Sequence, residues 1–317
     1  MALPQDSRFI NQVVASTLQE IRPDLVDNLF RSNALFARLY GKGKVVLDGS
    51  ENIRVPFIYD RLPGDWYTGL GPFAVTQKEV ITALVFNWKS VYTSITLPGI
   101  DVFKNQGPYR AFDLVAAQLT TARMTIADKL GDALYNDGTN VAQLTGLRGA
   151  IATTGTYGGI TRDSSVVGTA VQGNVDTTGG AITIPLINSF MGTASRGGAE
   201  KPDLLVTTQT LWDAVWARVQ PQQRYPNPSQ QDIANVGFDV ININGAALVA
   251  DSHCPSGFLF GLNTNYMEFY VGQGYDFYVR GPFPLQVQDG FTAQILMYCE
   301  LALQAPGMMF MASGLTA

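Results

Sequence analysis

Eighteen consecutive residues, Val80 to Leu97, contain neither glycine nor proline and are rich in Val, Ile, Thr, Tyr, Phe and Trp. β-Branched and aromatic side chains favour extended chain, yet strands average only five or six residues. As one strand at about 3.3 Å per residue, the run would reach roughly 60 Å. A shorter run of the same kind, Asn52 to Tyr59, precedes it, and Leu62 to Pro72 between them is dense in Gly, Pro and Asp, as a turn requires. The pair reads as a hairpin too long to fold back into a core of its own chain. An arm of that kind needs a neighbouring copy to lie on, which points to a repeating assembly.

The order of side chains along the run supports this. Even positions carry Val80, Thr82, Leu84, Phe86, Trp88, Ser90 and Tyr92; odd positions carry Ile81, Ala83, Val85, Asn87, Lys89, Val91 and Thr93. A strand with one wet face would alternate strictly. Here both faces mix apolar and polar groups, so contact on both sides is expected.

Composition agrees. Charged residues make up 15% of the 317 and hydrophobic residues 46%, against about 25% charged in ordinary soluble domains. A chain with so few charges is expected to cover much of its surface with other chains. The formal net charge of −5 disfavours general nucleic-acid binding. Residues 1–44 carry a slight positive excess, from Arg8, Arg22, Arg31, Arg38, Lys42 and Lys44 against four acids, too small for a polybasic arm. The opening residues show no signal-peptide pattern, and no uncharged apolar run is long enough to span a bilayer. Synthesis in a reducing cytoplasm and no membrane partner are therefore expected.

Residues 1–44 read as short helices with narrow apolar faces: one capped by Ser7 and stopped by Pro23, another from Asn33 to Tyr40 ended by Gly41-Lys42-Gly43. They are expected to be flexible or partner-dependent. After the hairpin, one long helix is expected from Gly107-Pro108 to Asp137-Gly138, with Phe112, Val115, Leu119, Ala122, Ile126, Leu130 and Leu134 forming a single stripe. Beyond Leu147 short strands and helices alternate. Ile184–Ala194 and Leu211–Val219 read as helices, the latter capped by Thr208. Leu204–Thr207, Phe258–Leu262 and Met267–Val271 read as strands, and Asp239–Asp251 as a hairpin turned at Asn244-Gly245. Phe291–Leu303 is a last long strand, and the tail beyond Pro306 is apolar.

Little in the chain looks like reaction chemistry. Asp251-Ser252-His253-Cys254 offers a carboxylate, an imidazole and a thiol, but sequence neighbours seldom face one another, and the plain reading is a turn into Pro255-Ser256-Gly257. One histidine leaves no multi-histidine metal site, and Cys254 and Cys299 have no zinc spacing. No phosphate-loop or dinucleotide fingerprint occurs. No catalytic residue, cofactor or metal is expected. The candidate contacts lie on the arm: Asp65, Trp66 and Tyr67 at its tip, and Arg54, Lys78, Trp88 and Lys89 along it.

Several stretches carry a family likeness: Leu35–Tyr40 with Gly41-Lys42-Gly43, Thr82–Lys89, Leu130–Gly138, and Thr153–Thr156 with Gly158-Gly159-Ile160. Lys201–Gln209, Gln220–Arg224, Asp251–Pro255 and Leu262–Tyr266 extend it. In this order they resemble the major capsid protein of tailed double-stranded-DNA bacteriophages, of the Hong-Kong-97 type. The resemblance implies an α+β capsid fold: residues 1–44 an N-terminal arm, 45–99 an extended loop, 100–147 a peripheral domain with its spine helix, 148–290 an axial domain, and 291–317 the closing strand and tail.

It also implies hexamers and pentamers of an icosahedral head around double-stranded DNA, in a virion assembled in the host bacterial cytoplasm. The partners implied are other copies of the chain, a portal, a separate scaffold protein and, in some members, a decoration protein. A scaffolding segment finds no room here, and no lysine–asparagine cross-link motif can be placed. Two alternatives remain: the shell of a cellular nanocompartment of the same fold, and a β-rich hydrolase using Cys254 and His253.

Overall fold

The computed structural model describes residues 33–69, 76–104, 114–195, 200–219 and 241–317. The Ser7-capped helix, the helix start at Gly107-Pro108 and the stretch Gln220–Arg224 lie outside the described residues.

The chain begins with helix α1 (Ala34–Lys42) and strands β1 (Lys44–Leu47), β2 (Ile53–Ile58), β3 (Ile81–Phe86) and β4 (Lys89–Pro98). Helices α2 (Gly99–Lys104), α3 (Leu114–Leu134) and α4 (Leu147–Ala150) follow. Next come β5 (Thr156–Tyr157), β6 (Ile160–Thr161), α5 (Val166–Ala170), β7 (Asn174–Asp176) and β8 (Gly180–Ala181). Helix α6 (Ile184–Thr193), β9 (Leu204–Thr207) and α7 (Gln209–Val219) lead to β10 (Ile241–Ile243) and β11 (Ala246–Ala250). The chain closes with β12 (Leu259–Leu262), β13 (Met267–Gly272), β14 (Tyr278–Pro284), β15 (Gly290–Leu303), β16 (Phe310–Ala312) and β17 (Leu315–Thr316).

Two sheets organise these elements. In the first, the order is β1-β13-β15-β14, with β4 also paired to β15. In the second it is β10-β11-β9-β12-β16-β7. All four residues of β9 are buried, because its two faces serve different cores. Leu205 packs with Ile187 and Phe190 of α6 and with Leu211 and Val215 of α7. Leu204 and Val206 join the larger core, which also holds Ile126, Leu130 and Leu134 of α3 and Phe269, Leu301 and Leu303 of the first sheet. Strands enclosed on both faces read as continuous apolar runs, as this one does.

Local chemistry explains several boundaries. Thr183 caps α6 by accepting the Leu186 N–H, and Asn33 caps α1 by accepting the Phe36 N–H at 3.0 Å. The β10–β11 turn uses Asn244 and Gly245 at φ 51° and 85°, the left-handed pair that a two-residue hairpin needs.

Two expectations are corrected. The run from Val80 to Leu97 is not one strand. It breaks at Asn87-Trp88, and its halves take different partners: β3 pairs with β2 from Ile53↔Phe86 to Ile58↔Ile81, while β4 pairs with β15 from Lys89↔Cys299 to Pro98↔Gly290. Six residues of β3 span only about 20 Å. At the break the Trp88 indole N–H donates to the Ser50 carbonyl at 2.9 Å, an anchor reached only across the hairpin.

The second correction concerns α1, which is core rather than a loose arm. Leu35, Phe36 and Leu39 are buried, and the Phe36 ring meets Phe269 edge-on at 5.8 Å. β1 then runs parallel to β13. A narrow stripe suffices for a helix of nine residues, because a preformed sheet supplies the other wall.

Candidate subunit-contact arm

The β2–β3 hairpin has an inward and an outward face, and strict alternation separates them. Ile53, Val55, Leu84 and Phe86 point inward and are buried. Arg54, Pro56 and Ile58 point outward opposite Val85, Ala83 and Ile81.

The inward face is seated on the β5–β6 turn. Phe86 meets Tyr157 edge-on at 5.2 Å, and the Val85 N–H donates to the Gly158 carbonyl at 2.9 Å. Gly158 has φ +54°, and a Cβ there would stand 2.7 Å from a Leu84 methyl. Glycine is therefore required both by its backbone and by the space. Below, the Tyr157 hydroxyl accepts the Leu303 N–H at 2.8 Å. The buried Arg162 guanidinium stacks on the Tyr157 ring and donates to the carbonyls of Val171 at 2.9 Å, Gly149 at 3.0 Å, Thr154 at 3.3 Å and Ala150. The seat is thus a fixed polar scaffold under an apolar contact.

Outward and toward the tip the arm is bare. Ile58 and Ile81, a directly opposed pair, are 73% and 63% exposed, and Trp66 is 99% exposed. Leu62 and Tyr67 are exposed as well. The ladder continues past the strands through the Tyr59 N–H to the Val80 carbonyl at 3.0 Å. The Tyr59 hydroxyl donates to the Glu79 carbonyl at 2.7 Å. Apolar side chains in such a row are uncommon on a monomer's surface unless they mark a contact.

The seven candidate contacts fall at four places. Asp65, Trp66 and Tyr67 sit together at the tip, where Asp65 accepts the Trp66 N–H at 2.8 Å. Arg54 lies on the outward face of β2. Lys78 is halfway along, paired with Asp60 at 2.6 Å, and holds that carboxyl below its usual range. Trp88 and Lys89 are at the root and are tied to their own chain, Lys89 Nζ donating to the Val141 carbonyl at 2.6 Å. Sequence reasoning missed Ile58, Ile81 and Val85 as an outward row, because facing depends on register and the break at Asn87 was not visible.

Near the root, burial pushes the Glu300 carboxyl up to about 7, although Lys89 and the Thr145 and Leu301 amides favour its charged form. The amides donate to it at 3.2 and 3.1 Å.

The structure does not assemble a thiol–imidazole pair. Cys254 lies against the Pro255 and Phe258 carbonyls, and burial pushes its thiol up, away from the reactive thiolate. His253 faces Asp132 and Asp128 instead. Cys254 and Cys299 are both free and buried. Among the described residues no cluster of His, Cys, Asp and Glu could hold a metal ion, and no helix is long and apolar enough to cross a membrane.

No family model matches the chain. No curated protein matches it by sequence. Solved structures do match in shape. A chain of the Cyanophage A-1(L) capsid asymmetric unit superposes with a TM-score of 0.73 at 14% identity, covering 95% of this chain and 97% of that one. The architecture is the fold of that capsid chain. A Mycobacterium phage Bobi structure matches over 100% of both chains, with a TM-score of 0.61 at 13% identity. The SrpI encapsulin of Synechococcus elongatus matches with a TM-score of 0.64 at 12% identity, covering 99% of this chain and 96% of that one. The α+β capsid fold expected from the resemblance is therefore present over nearly the whole chain.

Proposed function

We propose that this chain is the major capsid protein of a tailed bacteriophage, assembling as hexamers and pentamers into an icosahedral head around double-stranded DNA. The observation that carries the reading is the bare outward row of the arm, Ile58, Ile81 and Val85 leading to Trp66, on a chain with a capsid fold. Apolar area removed from water is worth about 25 cal/mol per Å², and an identical arm contributes at every copy. Arg54, Asp65, Trp66 and Tyr67 are the proposed contacts with the neighbouring copy. Lys78, Trp88 and Lys89 act from within the chain, holding the arm's angle. The second sheet with α6 and α7, drawn from residues 148–290 and completed by β16 of the tail, supplies the contacts around the five- and six-fold axes.

A separate scaffold, a portal and a decoration protein belong to the same reading, as does assembly in the host cytoplasm. DNA is held without specific contact, because a chain of net charge −5 does not grip phosphate. Shell assembly involves no substrate turnover.

A second reading, a cellular nanocompartment, is favoured by the likeness to the encapsulin. Electron microscopy of the purified protein tests both. Closed shells are expected, with genome-length DNA inside native particles; a single enriched enzyme inside would favour the nanocompartment. Persistent monomers at high concentration would overturn the shell reading altogether.

A further inference from the structure

His253 is the chain's one histidine, and its side chain is fully enclosed. The ring lies across α3 at Gly131. A Cβ at 131 would stand 2.9 Å from His253 Cδ2 and 2.3 Å from Asn33 Nδ2, so glycine makes room for both side chains. Asp128 and Asp132, one helical turn apart, flank the ring. Nδ1 is 2.9 Å from Asp132 Oδ1, and Nε2 is 3.4 Å from Asp128 Oδ1.

The two forms of the ring fit this pocket unequally. A neutral imidazole has one N–H. Donating it from Nδ1 to Asp132 leaves the Nε2 lone pair turned toward a carboxylate, with no hydrogen bond of its own. With both nitrogens protonated, each carboxylate faces a donor.

The same cluster joins three parts of the fold. Asp251 accepts the His253 N–H through Oδ1 and the Leu35 N–H through Oδ2, both at 2.9 Å. Asn33, which caps α1, also donates from Nδ2 to the Ala127 carbonyl of α3 at 3.0 Å. The loop after β11, helix α1 and helix α3 therefore meet at this imidazole. The titratable groups that face the cluster are Asp128, Asp132 and Tyr135 from α3 and its end, and Asp251 and Cys254 from the loop. Burial, with Asp251 nearby, pushes both the Tyr135 phenol and the Cys254 thiol up, so both stay neutral. Helix α1 offers only the uncharged Asn33.

We propose that His253 is a proton-operated clasp, which as the imidazolium bridges Asp128 and Asp132 and locks α1 and the loop after β11 onto the spine helix α3. Loss of the proton removes one of the two bridges and loosens the junction. The inference concerns the subunit itself and stands apart from the shell reading.

The test compares thermal unfolding of the wild type and His253→Gln at stepped pH on either side of neutrality. The imidazolium stabilises only while it is charged, so the wild type's advantage should be largest at the acid end and shrink as pH rises. The pH response of Glu300 is common to both proteins and cancels in the difference. In parallel, amide exchange over residues 34–42, taken relative to His253→Gln, should speed up roughly ten-fold across the same range in the wild type.

Asp128→Asn supplies a variant with the imidazole in place. Its amide can donate to a neutral Nε2, so the pH dependence should flatten while the fold is kept. A wild-type advantage that is constant with pH, or that grows as pH rises, would overturn the clasp. So would an Asp128→Asn protein with an undiminished pH dependence.

Discussion

At the base of the hairpin, Ile53 and Leu84 are 2% and 0% exposed, and Leu84 is pressed against a glycine that admits no side chain. About 10 to 17 Å further along the same two strands, Ile81 and Ile58 lie open to solvent, as does Trp66 beyond the strands. The residue types are alike at the two ends; what differs is whether the chain itself supplies the opposing surface. The base is part of the subunit's own fold, held by Tyr157, Gly158 and Arg162. Among the described residues no such seat is seen under Ile58, Ile81 and Trp66, and the apolar row is complete only when something else covers it. Changes at the base should therefore unfold, and changes at the tip should leave a folded chain that cannot assemble.

Removing residues 62–72 breaks the comparison most severely. Residues 62–69 lie beyond the last strand pairing, so soluble folded subunits are expected from the deletion, with an unchanged circular-dichroism melt. Closed shells should be absent by electron microscopy. Normal shells from that deletion would remove the arm from the assembly mechanism.

The base gives the next largest effect. Leu84→Ala takes a fully enclosed side chain out of the larger core and is expected to cost about 2–5 kcal/mol in a denaturant titration. Gly158→Ala attacks the same contact from the other side, through the positive φ and the 2.7 Å approach to Leu84. A loss below about 0.5 kcal/mol for both would mean that the base is not seated as described.

The root carries a pH signature of its own. Glu300 has a folded value of about 7, raised chiefly by burial, against an ordinary value of 4.5. Below the lower value both states hold the proton and nothing is lost. Between the two the folded state keeps its proton while the unfolded chain has released it, so stability falls as pH rises. Above about 7 the loss is complete, at roughly 3 kcal/mol. Glu300→Gln should flatten this slope and be the more stable protein above neutrality, as chemical denaturation at stepped pH would read. An unchanged slope would show that Glu300 is not the group responsible.

How much was legible depended on whether the signal was local. The long helix over its described part, Leu114–Leu134, and likewise β9, β15 and the Asn244-Gly245 turn, each carry a periodicity or a turn residue within a few positions, and the structure has them there. The break at Asn87-Trp88 has no such mark. β3 and β4 share one composition, and only the location of β2 and β15 tells them apart. The burial of α1 was hidden for a related reason, since its wall is β13, more than two hundred residues away. β14 was missed because Pro282 and Pro284 argue against a strand, and β16 because three residues carry little pattern. At the candidate site, Trp66 and Tyr67 were legible as aromatics in a turn, while the outward Ile58–Ile81 pair needed the register.

The smallest effect on the fold is the one that isolates the tip. Trp66 is almost wholly exposed, so Trp66→Ala should shift unfolding by less than about 0.5 kcal/mol. If the tip is a contact, that tryptophan is an anchor of the kind whose truncation costs about 2 kcal/mol or more per interface. The concentration at which shells form should then rise at least ten-fold, measured by light scattering on subunits whose melts match the wild type. Tyr67→Ala gives the neighbouring reading. A Trp66→Ala protein that assembles at the wild-type concentration would move the contact down the arm, to the Ile58–Ile81 row. The companion Ile81→Ser would then be expected to show the defect, because the outward face of β3 would carry the interface without its tip.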